Sequence, residues 1–129
     1  MTESSQYTAF PVVVPDYPVL KHIYPTMQKE VCKIIKFAEE TPDIQKVVIF
    51  GSSVRWDCRP DSDIDICIWL TDKDKNMEKY FDIYRKMYRV ISLDFQFDFL
   101  YYDDLVSKDL KNEINTKGVT VFERPVQEN

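Results

Sequence analysis

Two short apolar runs, separated by a polar connection, constrain the fold of this chain more than any other feature. The first run, VVIF, is followed directly by Gly51 and Ser52. The second run, IDICIWL, follows Asp63 and carries Asp65 as its second residue. Runs of strand-forming residues bounded by turn residues predict strands covered on both faces of a sheet. Two carboxylates at the start of the second strand therefore need a chemical explanation.

Helical and strand-like periodicities follow one another along the rest of the chain. A helix is predicted from Thr26, and a second helix is predicted to begin at Thr71 and Asp72. In SLDFQFDFLYY, apolar residues alternate with polar ones from Leu93 to Phe99, which predicts a third strand with one polar face. Residues 103–116 are predicted to be helical, and the short run VTVF after Gly118 is predicted to be a strand. This order predicts an α/β or α+β fold.

Composition narrows the class of protein. A chain of 129 residues with 44% hydrophobic residues can bury one ordinary core. The net charge of -5 argues against a protein that binds nucleic acid mainly by neutralising its phosphates. No stretch approaches the length of a membrane span, and the chain begins with polar and acidic residues. Cys32, Cys58 and Cys67 lack paired spacing and are expected to be reduced thiols. We expect a soluble, cytoplasmic protein.

The first 25 residues differ from the rest because they contain Pro11, Pro15, Pro18 and Pro25. Proline fixes the backbone and removes a hydrogen-bond donor, so this arm is predicted to be extended. It either packs along the domain or is loosely ordered, or else its apolar residues bind a partner. The predicted division is an arm at 1–25 and a domain at 26–125.

The two aspartates point to a metal site. Residues i and i+2 of a strand face the same side, about 6 to 7 Å apart. Two carboxylates about 6 Å apart repel by roughly 3 kcal/mol at an effective dielectric near 20, a cost that a divalent cation reverses. Mg²⁺ or Mn²⁺ suits such oxygen ligands. A third carboxylate on a neighbouring strand would complete a two-metal centre, and Asp94 and Asp98 lie on the polar face of the third predicted strand.

The turn after the first strand is a candidate phosphate site. Gly51 and Ser52 supply backbone N–H groups and a hydroxyl that can bind triphosphate oxygens. Arg55 and Arg59 are near enough in sequence to add charge-assisted contacts to phosphate.

Together these residues resemble the signature of the minimal nucleotidyltransferases of the DNA polymerase β superfamily, which is Gly-Ser, ten residues, then Asp-x-Asp. The resemblance runs from about residue 27 to 124. The downstream segment DFLYYDDLVSKDLKNEINTKGVTVFE resembles the strand of the third aspartate, the helix after it and a closing strand. The chain departs from the family at Val54 and Trp56, where members often have small residues, and Trp56 would stack on a base or cap the sheet. The matching residues are Gly51, Ser52, Arg55, Ser62, Asp63, Asp65 and Asp98, with Asp94 as a neighbour of the last.

The resemblance implies a polymerase β-like fold, with a small mixed sheet flanked by helices. It implies transfer of a nucleoside monophosphate, expected to be AMP from ATP, to an acceptor hydroxyl with Mg²⁺ or Mn²⁺. The implied catalytic and metal ligands are Asp63, Asp65 and Asp98, and the implied nucleotide-binding residues are Gly51, Ser52, Arg55 and Ser62.

Some relatives are antitoxins that add AMP to a tyrosine of a HEPN toxin, so a HEPN-type partner is the leading biological context. Two alternatives stay open at this point. One is a binding module that has kept the fold and lost catalysis, and the other is a stand-alone enzyme that modifies a small molecule.

Overall fold

The computed structural model describes residues 7–72, 77–92 and 94–125. Within these ranges the chain forms helices and strands in the order α1 (Gln28–Glu39), β1 (Ile44–Phe50), β2 (Ile64–Leu70), α2 (Met77–Val90), β3 (Phe97–Tyr101), α3 (Lys108–Lys117) and β4 (Val119–Glu123). Short 3₁₀ turns lie at Pro18–His22, Pro25–Met27, Gly51–Val54 and Tyr102–Asp104. The described residues contain no helix that is long and apolar enough to cross a membrane.

The four strands form one mixed sheet in the order β3-β2-β1-β4. Strand β1 is antiparallel to both β2 and β4, whereas β2 and β3 run parallel. The sheet register places Asp65 between Phe50 of β1 and Asp98 of β3. The expected fold class, a small mixed sheet flanked by helices, is confirmed, and this register sets the position of the site.

The two faces of the sheet are covered by different helices. Ile64, Ile66 and Ile68 of β2 are fully buried on the face that packs against α1 and α2. The opposite face is covered by α3, where Ile114 packs with the buried Cys67. Burial on both faces explains why β1 and β2 appear in the sequence as nearly continuous apolar runs.

Two segments near the third strand differ from the sequence prediction. β3 begins at Phe97, so Asp94 lies in the turn before the strand and not on its polar face, and Leu93 lies outside the described residues. The reason is strand pairing: Phe97 is the partner of Ile64, the first residue of β2, and the bonds between the two strands begin where the N–H of Ile64 donates to the carbonyl of Gln96 at 3.0 Å. The N–H of Phe95 instead donates to the carbonyl of Ser92 at 3.0 Å, which forms the turn.

The helix predicted at 103–116 begins later, at Lys108. Ser107 is its N-cap, and the Ser107 hydroxyl accepts a hydrogen bond from the N–H of Leu110 at 3.2 Å. Because a capping serine satisfies the free N–H groups of a first turn, the helix starts there and not at residue 103. Val106 precedes the helix, and its side chain is 93% exposed. The second predicted helix is described from Met77 to Val90.

The prediction of an extended N-terminal segment is only partly correct. It forms 3₁₀ turns that start at Pro18 and Pro25, because the fixed φ of proline suits the first position of a helical turn. Leu20 and Ile23 are fully buried and join the main core. The division between an arm at 1–25 and a domain at 26–125 stays a prediction.

Candidate active site

The turn after β1 lies directly against a carboxylate of β2. Gly51 has φ of +76°, in the left-handed region that favours glycine. A Cβ atom at Gly51 would overlap Oδ2 of Asp65 and come within 3.1 Å of its Cγ. Glycine is therefore required here for its backbone conformation and for the space that the Asp65 carboxyl group occupies.

Three aspartates meet beside this turn. Asp63 immediately precedes β2, Asp65 is its second residue, and Asp98 of β3 is the parallel partner of Asp65. Neighbouring strands lie about 4.8 Å apart, so the two paired carboxyl groups are adjacent. A hydrogen bond between their side chains requires a protonated carboxyl group, and Asp65 is the one whose pKa is raised.

The pKa of Asp65 is raised to about 7 from its ordinary value near 3.8, and burial is the largest cause. The hydrogen bond to Asp98 and the negative charges of Asp98, Asp63 and Glu113 are the further causes, in that order. Without a cation, Asp65 therefore holds a proton close to neutral pH. Its ionisation costs free energy because the side chain lies among other acidic groups.

These groups line one open cleft of about 920 Å³. Arg59 and Asp94 do not line it. All seven residues that match the family signature do line it: Gly51, Ser52, Arg55, Ser62, Asp63, Asp65 and Asp98. They come from the connection between β1 and β2, from the start of β2 and from the start of β3. The register of the sheet brings these three parts of the chain together.

Two of these residues already have protein partners. Nε of Arg55 lies 3.0 Å from Oδ1 of Asp57 in an exposed ion pair, which is weak and can exchange for a stronger anion. The Ser62 hydroxyl accepts a hydrogen bond from the N–H of Arg59 at 2.8 Å. Ser62 thus closes the turn that leads into β2, in addition to lining the cleft.

Sequence reasoning missed several residues of the cleft. Glu113 of α3 lies in it together with Leu110, one helical turn earlier. The spacing of Leu110, Glu113 and Ile114 on one helix face is the signal that could have placed Glu113 there. The residues lining the cleft also include Tyr84, whose side chain is 37% exposed, and the aromatic neighbours of Asp98, Phe97 and Phe99.

The donor set fits a hard divalent cation. Within residues 7–72, 77–92 and 94–125, no three His, Cys, Asp or Glu side chains form a ready-made metal site. Mg²⁺ is commonly held by one or two carboxylates together with waters and substrate phosphates, so it does not need such a cage. Asp63, Asp65 and Asp98 supply only oxygen atoms, and a cation would take the place of the proton that Asp65 holds.

The fold and this cleft define a nucleotidyltransferase domain of the polymerase β type. A family model described as polymerase beta, nucleotidyltransferase matches residues 32–127. The chain belongs to this family, which confirms the resemblance seen in its sequence motifs and identifies it as a nucleotidyltransferase. No curated protein matches it significantly in sequence.

Solved structures of toxin–antitoxin systems are similar to this chain. One is a toxin–antitoxin with AMP-PNP, with a TM-score of 0.56, 26% identity and coverage of 72% of this chain and 73% of that one. Another is a tri-AMPylated Shewanella oneidensis HEPN toxin in complex with its MNT antitoxin, with a TM-score of 0.53, 25% identity and coverage of 76% and 73%. A putative nucleotidyltransferase from Sulfolobus solfataricus, with a TM-score of 0.50, 24% identity and coverage of 77% and 82%, shares the fold.

Proposed function

We propose that this protein transfers AMP from ATP to a tyrosine hydroxyl of a HEPN-type toxin, and so acts as its antitoxin. The observation that carries the proposal is the Asp65–Asp98 pair beside the Gly51 turn, in one cleft open to solvent. The similarity to an MNT antitoxin in complex with an AMPylated HEPN toxin supports the choice of acceptor. ATP as donor and free, buried cysteines fit a cytoplasmic setting.

The donor side of the cleft is the Gly51–Val54 turn. Gly51 and Ser52 of this turn line the cleft, and their backbone N–H groups and the Ser52 hydroxyl would bind the β and γ phosphates. Arg55 can exchange its exposed contact with Asp57 for a phosphate oxygen. Asp63 and Asp65 would hold Mg²⁺ or Mn²⁺, which supplies charge neutralisation at the phosphates.

Asp98 is the candidate proton acceptor. It is exposed in the cleft and lies opposite Asp65, within reach of an entering hydroxyl. In the transfer, the acceptor oxygen forms a bond to the α-phosphorus and its proton passes to the Asp98 carboxylate. The bond between the α-phosphorus and the bridging oxygen breaks, and that oxygen leaves with pyrophosphate.

Aromatic rings line the edge of the cleft beside β3. Phe97 and Phe99 flank Asp98 in sequence, and because side chains alternate along a strand, their rings lie on the opposite face of the sheet from its carboxylate. The ring of Tyr84 lies 5.8 Å from each of these two rings. Phe99 is buried, so the more exposed Phe97 and Tyr84 are the rings that an acceptor tyrosine would contact at this edge.

Label transfer tests the proposal. The protein is incubated with Mg²⁺, a HEPN-type toxin from the same host, and ATP labelled at either the α or the γ phosphate. Label from the α position is expected to appear on the toxin, and label from the γ position is not. Replacing the acceptor tyrosine of the toxin by phenylalanine should remove the α label. Transfer of the γ label, or binding to the toxin without any transfer, would contradict the proposal.

A further inference from the structure

The N-terminal segment, residues 7–24, precedes the part of the chain that matches the family model, which begins at residue 32. It nevertheless joins the core of the domain, because Leu20 and Ile23 are fully buried there. The N–H of Phe10 donates to the carbonyl of Lys21 at 2.7 Å, which folds the segment back on itself. Its two ends are therefore held close together on the surface of the domain.

A buried glutamine fixes the middle of this segment. Gln28, the first residue of α1, is fully buried. Its Nε2 donates to the carbonyls of Pro11 at 2.8 Å and Ile23 at 2.9 Å. Its Oε1 accepts from the N–H groups of Val13 at 2.9 Å and Val14 at 3.1 Å. Both donors and both acceptor sites of the amide are thus used to bind the segment to the helix.

The segment contacts the loop that follows Gly51. The rings of Phe10 and Trp56 have centroids 4.7 Å apart, and the ring of Tyr24 meets Trp56 edge-on at 6.1 Å. The N–H of Tyr24 donates to the carbonyl of Ser53 at 2.8 Å. Phe10 is buried, whereas Trp56 is 61% exposed, so Trp56 rests with one side against the segment.

The segment also forms a wall of a smaller cleft of about 200 Å³ beside the main one. Tyr7 and Thr8 line it, together with Gly51, Arg55 and Glu113, which line the main cleft as well. The two clefts therefore meet at the turn assigned to the donor phosphates.

We propose that residues 7–24 are part of the donor site: they hold the Gly51–Val54 turn in its nucleotide-binding position, with Trp56 as the positioning residue. This inference rests on the proposed function, because it assigns the donor nucleotide to that turn. The turn lies in the connection between β1 and β2, so its ordering would otherwise cost free energy when the nucleotide binds. A turn that the aromatic contact has already ordered avoids that cost.

The test measures the Kd of the full chain for ATP with Mg²⁺ by isothermal titration calorimetry. Trp56→Ala should weaken binding about five-fold, since an aromatic contact is worth a factor of a few to about ten. Trp56→Phe keeps a ring against Phe10 and should restore the Kd to within about two-fold. Phe10→Leu removes the ring while keeping the site apolar, and should weaken binding as Trp56→Ala does.

The matched control is Trp69→Ala. Trp69 stacks on Tyr102 with centroids 4.5 Å apart, at the opposite end of β2 from the aspartates. The Trp69→Ala substitution should lower the thermal midpoint and leave the Kd for ATP unchanged. Equal affinity in wild type and Trp56→Ala, or an equal loss of affinity in Trp69→Ala, would overturn this inference while the proposed function stands. A wild-type chain that does not bind ATP with Mg²⁺ would overturn both.

Discussion

Asp65 and Asp98 face each other across the parallel pair β2 and β3, and their carboxyl groups share a hydrogen bond. Burial and this acidic neighbour together raise the pKa of Asp65, so Asp65 retains a proton near neutral pH. Asp65 also lies against Gly51, so the acidic centre and the turn assigned to the donor phosphates are in direct contact.

The first prediction concerns the pH dependence of stability in the absence of metal. The pKa of Asp65 is about 7 in the folded chain and near 3.8 when unperturbed. Between these values the folded chain binds more protons than the unfolded chain, so the free energy of unfolding contributed by Asp65 falls as pH rises from about 4 to about 7. Asp65→Asn should remove this fall. Urea unfolding at several pH values measures it.

The control for that series is Asp94→Asn, which changes an exposed carboxylate in the turn before β3. This variant should keep the wild-type fall in stability between about pH 4 and pH 7. If the free energies of unfolding of wild type and Asp65→Asn change in parallel across this pH range, Asp65 does not hold the proton.

The second prediction separates the two aspartates that the sequence left as neighbours. Asp98→Asn should lower kcat for AMP transfer by about 10²- to 10⁴-fold, the range for loss of a general base. KM for ATP should change little, because Asp98 acts on the acceptor. Asp94→Asn should retain wild-type kcat, since Asp94 lies outside the strand. Steady-state transfer kinetics with both variants test this, and equal losses would contradict it.

The third prediction concerns the donor turn. Gly51→Ala places a methyl group where Oδ2 of Asp65 lies and forces a left-handed conformation on alanine. We expect a loss of about 1 to 3 kcal/mol in stability and loss of ATP binding. Gly118→Ala is the control, because its methyl group would meet Val48 and the carbonyl of Ile114, away from the cleft. Gly118→Ala should destabilise the chain and keep its affinity for ATP.

The fourth prediction concerns Glu113, which the sequence did not reveal. Its charge is one of the causes that raise the pKa of Asp65. Glu113→Gln should therefore lower the pKa of Asp65 toward its ordinary value. In this variant the fall in unfolding free energy should therefore end at a lower pH than in wild type. If the fall ends at the same pH in both proteins, the charge of Glu113 does not affect the pKa of Asp65.

The gathering of the candidate site residues in one cleft was predictable from sequence because its signals are local. The Gly51 turn and the Asp63–Asp65 pair lie beside two strands whose apolar runs follow from burial on both faces. The choice of Asp98 needed the family resemblance, because periodicity alone placed Asp94 on the same face. Only the pairing of Phe97 with Ile64, a long-range contact, shows where β3 begins.

The contacts of the N-terminal segment have no comparable signal in the sequence. Phe10, Tyr24 and Trp56 are far apart in sequence and follow no shared period, so their association depends on tertiary packing. Proline content predicted an extended backbone, but the same residues also start 3₁₀ turns when the following apolar residues are buried. Composition alone does not distinguish these outcomes.

The measurement that tests the central claim most directly is the thermal midpoint of the purified chain with and without ATP and Mg²⁺. Wild type is compared with the double variant Asp63→Asn, Asp65→Asn. Ligand at about 100 times Kd should stabilise wild type by roughly 2.7 kcal/mol, which is several degrees for a domain of this size. We expect this shift in wild type and none in the double variant. No shift in wild type, or the same shift in both proteins, would contradict a metal–nucleotide site in this cleft.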